Sequence, residues 1–108
     1  MRAILIDPQA RSVEAVETSG KLDDIYRLVG CKVIEAVYLS KTDVMYVDEE
    51  GLLKSPTTQA FFGLADSEPI CGRGLIFSDN RGENASTTLR VPDVFQAVVW
   101  YDTVKSED

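Results

Sequence analysis

The apolar residues of this chain come in runs too short for anything but strands, with one clear exception, and that limits the folds open to it. Ala3-Ile4-Leu5-Ile6 is a mainly β-branched run stopped by Asp7-Pro8, so it reads as a first strand. Ser12 to Glu17 alternates more weakly and can pair back on it across Asp7–Arg11. Val33 to Leu39, "VIEAVYL", is apolar on both faces with one charge, Glu35, which predicts a central strand covered on both sides. Val44–Val47 follows across Ser40–Asp43, and Asp48-Glu49-Glu50-Gly51 predicts a type I turn that returns into Leu52-Leu53-Lys54.

The exception is "SGKLDDIYRLVGC". Leu22, Ile25, Leu28 and Val29 fall at helical spacing, Asp23 and Asp24 occupy the first turn, and Gly30 supplies a left-handed stop. From Ser55 to Pro69 the periodicity dissolves around one aromatic pair, Phe61-Phe62, which either packs over the core or helps form a site. Asp79–Asn84 reads as a loop and Ser86–Arg90 as a returning strand. Pro92 and Asp93 open a last element whose Val94, Phe95, Val98 and Val99 fit a short helix, while "AVVWY" fits a strand equally well. Lys105–Asp108 should fray. The whole predicts a single α+β domain: a mostly antiparallel sheet of about five to seven strands with one or two helices packed on it.

At 108 residues the chain has length for one modest core. Eighteen acidic residues against eleven basic ones leave a formal charge of −7. That balance opposes direct nucleic-acid binding, which needs a basic footprint, and leaves room for an acidic surface that binds basic proteins. Histidine is absent, which removes the commonest general base and the best zinc ligand. Cys31 and Cys71 lack CxxC spacing and read as small half-buried thiols in a reducing compartment. The apolar run in "MRAILIDPQ" is too short for a signal peptide or a membrane span, so a cytoplasmic protein with no membrane partner is expected.

Few residue groups suggest chemistry. Asp48-Glu49-Glu50 lacks the spacing of a calcium loop and reads first as a solvated turn. Asp7-Pro8 fits a structural strand-end turn, and Asn84-Ala85-Ser86 matches a glycosylation sequon by accident in a chain without a leader. The more pointed stretch is "CGRGLIF". Gly72 and Gly74 flank Arg73, so the backbone can approach a ligand while the guanidinium holds a phosphate. No helix follows, which excludes a P-loop or a dinucleotide-binding turn. Any grip here would come from one arginine at a sheet edge. Arg81 lies beyond the same strand, and Tyr38 and Tyr46 can share one sheet face, so arginine and tyrosine together suit a nucleotide's phosphate and base. Tyrosines at a sheet rim and an exposed turn arginine are the plain structural alternative.

"LDDIYRLVGC", "VIEAVYL", "MYVDEEGLLK" and "CGRGLIF", with "MRAILIDP" ahead of them, resemble the domain-of-unknown-function family DUF3846 over Met1 to Phe77. Members often carry an asparagine near a Pro-x-Asn step after the hairpin; Ser55–Gln59 departs from that, so no role transfers to that position. The resemblance implies small proteins of bacteriophages and mobile elements, a setting in which host defence is often the target. Two mechanisms suit that setting. A homo-oligomeric sponge would sequester a nucleotide-derived or other phosphorylated signal without catalysis or cofactor, through Gly72, Arg73, Gly74, Arg81, Tyr38 and Tyr46. Alternatively, an acidic DNA mimic or protein inhibitor would block a host defence protein. A metal-dependent hydrolase using Asp7, Asp48 or Glu49 ranks last, because no nucleophile–base pair is visible.

Overall fold

The computed structural model describes residues 1–51, 60–64 and 67–101. Strands β1 (Arg2–Asp7), β2 (Ser12–Glu17), β3 (Ile34–Tyr38), β4 (Asp43–Asp48), β7 (Gly74–Asn80) and β8 (Glu83–Ala85) form one antiparallel sheet in the order β2-β1-β7-β4-β3, with β8 pairing the far end of β7. Strands β5 (Phe61–Leu64), β6 (Ile70–Cys71) and β9 (Val98–Tyr101) form a second sheet in the order β6-β5-β9. With helices α1 (Leu22–Val29) and α2 (Val91–Ala97), the architecture is α+β and mostly antiparallel, its strands divided between two sheets.

Alternation along the strands sorts their side chains into two cores. On one face of the large sheet, Ala3, Leu5, Val44, Leu75 and Phe77 pack against Ile25 and Val29 of α1. On the other, Ile4, Ile6, Met45, Val47 and Ile76 pack against Phe62 of the small sheet, Val94 of α2 and Val98. Leu75, Ile76 and Phe77 are fully buried, so β7 is the doubly covered central strand.

The sequence assigned that place to "VIEAVYL", and the structure corrects it. β3 is an edge strand with Glu35, Ala36 and Tyr38 exposed. Its apolar residues do reach both cores, Ile34 on the helix side and Val37 and Leu39 on the other. A two-faced apolar pattern therefore reports covered faces, and says nothing of how many strands flank the run.

The β1–β2 hairpin closes as expected, with Asp7 Oδ1 accepting from the Gln9 and Ala10 amides at 3.0 and 3.4 Å. α1 spans the predicted residues and ends at Gly30, whose φ of 77° is the left-handed stop, although Leu22 faces solvent. The Thr18 hydroxyl and the Arg27 guanidinium hold the Asp24 carboxyl below the usual carboxylate range. The ionised form is the one preferred by the fold. Its contribution to stability is thus present at neutral pH and lost as pH falls through the depressed value.

Further along, Arg81 (φ 55°) and Gly82 (φ 87°) form a two-residue turn with both φ values positive, so Asp79–Asn84 is a tight hairpin more than a loop. The returning strand accordingly sits at Glu83–Ala85, and not at Ser86–Arg90. That later segment is pinned to the start of the chain instead. Thr87 N–H donates to Arg2 O at 2.8 Å, and Arg2 Nη1 donates to the carbonyls of Thr87 and Leu89 at 3.0 and 2.8 Å. The last apolar segment is helix and strand in succession, α2 passing directly into β9. The expected strand Leu52–Lys54, the Ser55–Gln59 departure and the expected fraying of Lys105–Asp108 fall outside the described residues. Among the described residues no helix is long and apolar enough to cross a membrane.

Candidate functional site

Gly72, Arg73 and Gly74 stand at the start of the central strand β7, so Arg73 is at the end of the sheet's middle and not at its edge. The two glycines are required for different reasons. Gly72 has a φ of 87° with open space where a Cβ would sit. At Gly74 a Cβ would lie 2.8 Å from both Met45 Sδ and Phe62 Cζ, so this glycine lets the two sheets close on each other. Gly74 pairs with Ile6 and Val47, and Arg73, one residue earlier, turns to the opposite face, the one carrying α1. There its Nε lies 3.5 Å from Asp7 Oδ2, and its Nη1 donates to Leu28 O at 3.3 Å. A cation on the last carbonyls of α1 is also favoured by the helix dipole.

Beyond that helix end lies a cleft of about 580 Å³, lined among the described residues by Tyr26, Arg27, Gly30, Cys31, Lys32, Asp48 and Glu50. Arg73 borders it: a Cβ on Gly30 would meet Arg73 Nη1 at 4.0 Å. The cleft follows from local structure. Gly30 reverses the chain, and the bond from Glu49 N–H to Val33 O at 3.1 Å sets Lys32 against the turn after β4. Arg27 is engaged by Asp24 at 2.6 Å, whereas Lys32 has no ion-pair partner among the described residues.

The other expected site residues, Tyr38, Tyr46 and Arg81, are not among the residues that line this cleft. Tyr38 is opposite Val44 and Tyr46 opposite Ala36, so both tyrosines point to the α1 face, as alternation predicts. Tyr38 is 66% exposed. Tyr46 packs edge-on against Phe77 with ring centroids 5.8 Å apart, and its hydroxyl donates to Asn84 Oδ1 at 2.7 Å. Asn84 Nδ2 donates in turn to Gly20 O at 3.3 Å, so the sequon asparagine is an internal link between β8 and the lead-in to α1. Arg81 is exposed at the hairpin tip, eight residues from Arg73 along an extended strand, which separates them by about 26 Å. Within one chain Arg73 and Arg81 do not converge on one ligand.

Burial pushes the Tyr46 phenol above the usual tyrosine range of about 10. The fold favours the neutral phenol, so its contribution is complete below pH 10 and is lost as pH rises through the elevated value. In an alkaline titration followed by phenolate absorbance, Tyr46→Phe should remove a step that lies above the usual tyrosine value, while costing about 1 kcal/mol. A missing step at or below pH 10 in Tyr46→Phe would contradict this.

Sequence reasoning missed Tyr26, Arg27 and Lys32. The available signal was Gly30: a helix stop separated from the next strand by only three residues brings its last turn against that strand's partner. Among the described residues no three His, Cys, Asp or Glu side chains gather into a metal-ligating group; Cys31 is half-buried and Cys71 buried.

A family model described as Domain of unknown function (DUF3846) matches residues 1–98. The chain belongs to the DUF3846 family. The match runs past Phe77, where the sequence motifs ended, through β8 and α2 to the first residue of β9. This DUF3846 chain is also similar to the uncharacterized protein y4iR of Sinorhizobium fredii (strain NBRC 101917 / NGR234), with 27% identity over 95 residues, 84% of this chain and 58% of that protein. It therefore spans little more than half the length of that relative. No solved structure matches.

Proposed function

We propose that this DUF3846 chain is a non-catalytic binding protein that captures a small phosphorylated ligand of the nucleotide class in the cleft beyond α1. The observation that carries the reading is the mixed lining of that cleft. Arg27 and Lys32 lie on one side and Asp48 and Glu50 on the other, with Tyr26 among them and Arg73 at the Gly30 rim. A volume of about 580 Å³ lies within the usual range for small-molecule sites.

Free inorganic phosphate is a poor fit, because the carboxylates and the C-terminal end of α1 oppose a bare anion. A nucleotide matches both walls. Its phosphate takes the guanidinium and ammonium groups, its ribose hydroxyls and base amino groups donate to Asp48 and Glu50, and its base has the Tyr26 ring to pack on. The exposed pairing of Arg73 with Asp7, at 3.5 Å, is worth about 1 kcal/mol or less and yields to a phosphate dianion. Capture without turnover also suits the anti-defence setting implied by the family resemblance.

Heating the purified protein should release an ultraviolet-absorbing small molecule, and calorimetric titration with a panel of mononucleotides and cyclic dinucleotides should give at least one binder. Lys32→Ala and Arg73→Ala should each weaken it about tenfold, the loss of one charge-assisted contact. Nothing released and no binder in the panel, or unchanged affinity in both variants, overturns the reading.

A further inference from the structure

The edge strand β3 carries an inference beyond the cleft, and neither depends on the other. In the β3–β4 ladder, Glu49 N–H bonds to Val33 O at 3.1 Å and Leu39 N–H to Asp43 O at 3.0 Å. Bonded and non-bonded pairs alternate along an antiparallel ladder. Residues 33, 35, 37 and 39 therefore bond inward to β4, and Ile34, Ala36 and Tyr38 direct their N–H and C=O groups outward. No described residue takes up these groups. The pairing is unbroken over five residues, with no lysine, proline or bulge to blunt the edge, the devices proteins use to keep an open strand from recruiting another. At the opposite side of the sheet α2 packs against β2.

What this edge would accept is set by the surface beside it. On the face away from α1, β3 and β4 border a groove of about 400 Å³ with an apolar floor of Val37, Val47 and Ile70 and a rim of Glu35, Glu49 and Glu68. None of these three carboxylates has an ion-pair partner among the described residues. A peptide added to β3 would send alternate side chains over this groove, where aliphatic stems meet the floor and cationic ends meet the rim. A second copy of this chain is disfavoured there, because it would bring Glu35 against the same acids and add another charge of −7. The geometry points to β3 as a docking edge for an extended, lysine- or arginine-rich segment of a partner protein, bound by strand addition.

The test is fluorescence anisotropy with a labelled Lys-Val-Lys-Val-Lys-Val-Lys peptide and its Glu-Val counterpart on the full chain. The basic peptide should bind, the acidic one should not, and N-methylation of alternate peptide amides should abolish binding. Ala36→Pro removes an outward N–H without taking a bond from the β3–β4 ladder, so it should fold, with an unchanged thermal melt, and weaken binding about tenfold. Glu35→Lys with Glu68→Lys keeps the edge and reverses the rim, and should weaken binding to a similar extent, about tenfold. Absence of basic-peptide binding, equal binding of both peptides, indifference to N-methylation, or affinity unchanged in either variant overturns the proposal. So does a dimer in light scattering that is lost in Ala36→Pro, since a second copy would then hold the edge.

Discussion

Gly74→Ala destabilises the protein by about 1–3 kcal/mol and Gly74→Val by more, the range for forcing extra carbon into a packed core. The added Cβ meets Met45 Sδ and Phe62 Cζ at 2.8 Å, and both residues are fully buried. Met45 can turn its thioether aside, whereas the Phe62 ring is fixed between the two sheets. Gly72→Ala, two residues away, costs about 1–2 kcal/mol by a separate route, a strained positive φ with nothing to clash against. Urea denaturation of the two variants separates these causes. An asparagine, which tolerates positive φ, should recover most of the loss at position 72 and deepen it at position 74. Alanine accepted at position 74 with no loss of stability would show that the sheets do not close over Gly74. A further consequence concerns the motif itself. Its second glycine serves packing, so only Arg73 and the open turn at Gly72 remain available to a ligand.

The hairpin β1–β2, helix α1 with its Gly30 stop, and the antiparallel β3–β4 pair were legible because each is decided by neighbours in sequence: a turn residue, a period, a cap. What the sequence did not reveal depends on distant partners. "VIEAVYL" and "CGRGLIF" are both apolar runs, and only the pairing of β7 with β1 and β4 makes the second central and leaves the first at the edge. The turn at Arg81-Gly82 was legible in principle, since glycine at the second of two turn positions marks a tight hairpin. Val94 to Tyr101 stayed ambiguous because it contains both answers. The family carried its own limit, since membership in DUF3846 brings no activity with it.

The candidate site shows the same division. The shared face of Tyr38 and Tyr46 followed from strand alternation. The use of Asn84 to satisfy the Tyr46 hydroxyl depends on where β8 and the lead-in to α1 come to lie. Arg73 stands out in the sequence as a ligand-gripping candidate, and in the structure it ties the end of α1 to the β1–β2 turn. The cleft residues Tyr26, Arg27 and Lys32 come from segments the sequence marks as an ordinary amphipathic helix and its exit. Sites of this kind form at junctions between elements, where no local pattern announces them.

Phe62→Ala should be the most damaging single truncation, because the small sheet has little else to hold it in place. Its strands are four, two and four residues long, too short to persist as an independent sheet. They stay folded by inserting Phe62, Leu64, Val98 and Trp100 against the large sheet, and among these only Phe62 is fully buried. Removing a buried phenylalanine ring costs about 3–5 kcal/mol. A domain of 108 residues has in total about 5–15 kcal/mol to lose. The variant should therefore melt far below the wild type, and amide exchange should show β5 and β9 losing protection before β1 and β7. Phe61→Ala is the matched control: its neighbour on β5, half-buried on the outer side of the same sheet, pairs with Tyr101 and Cys71 and should cost about 1 kcal/mol. A loss of less than about 1.5 kcal/mol in Phe62→Ala, or uniform loss of protection across both sheets, would mean that the small sheet is anchored elsewhere. The expected order places the weak seam of this fold between its two sheets, at the point where Gly74 admits the Phe62 ring.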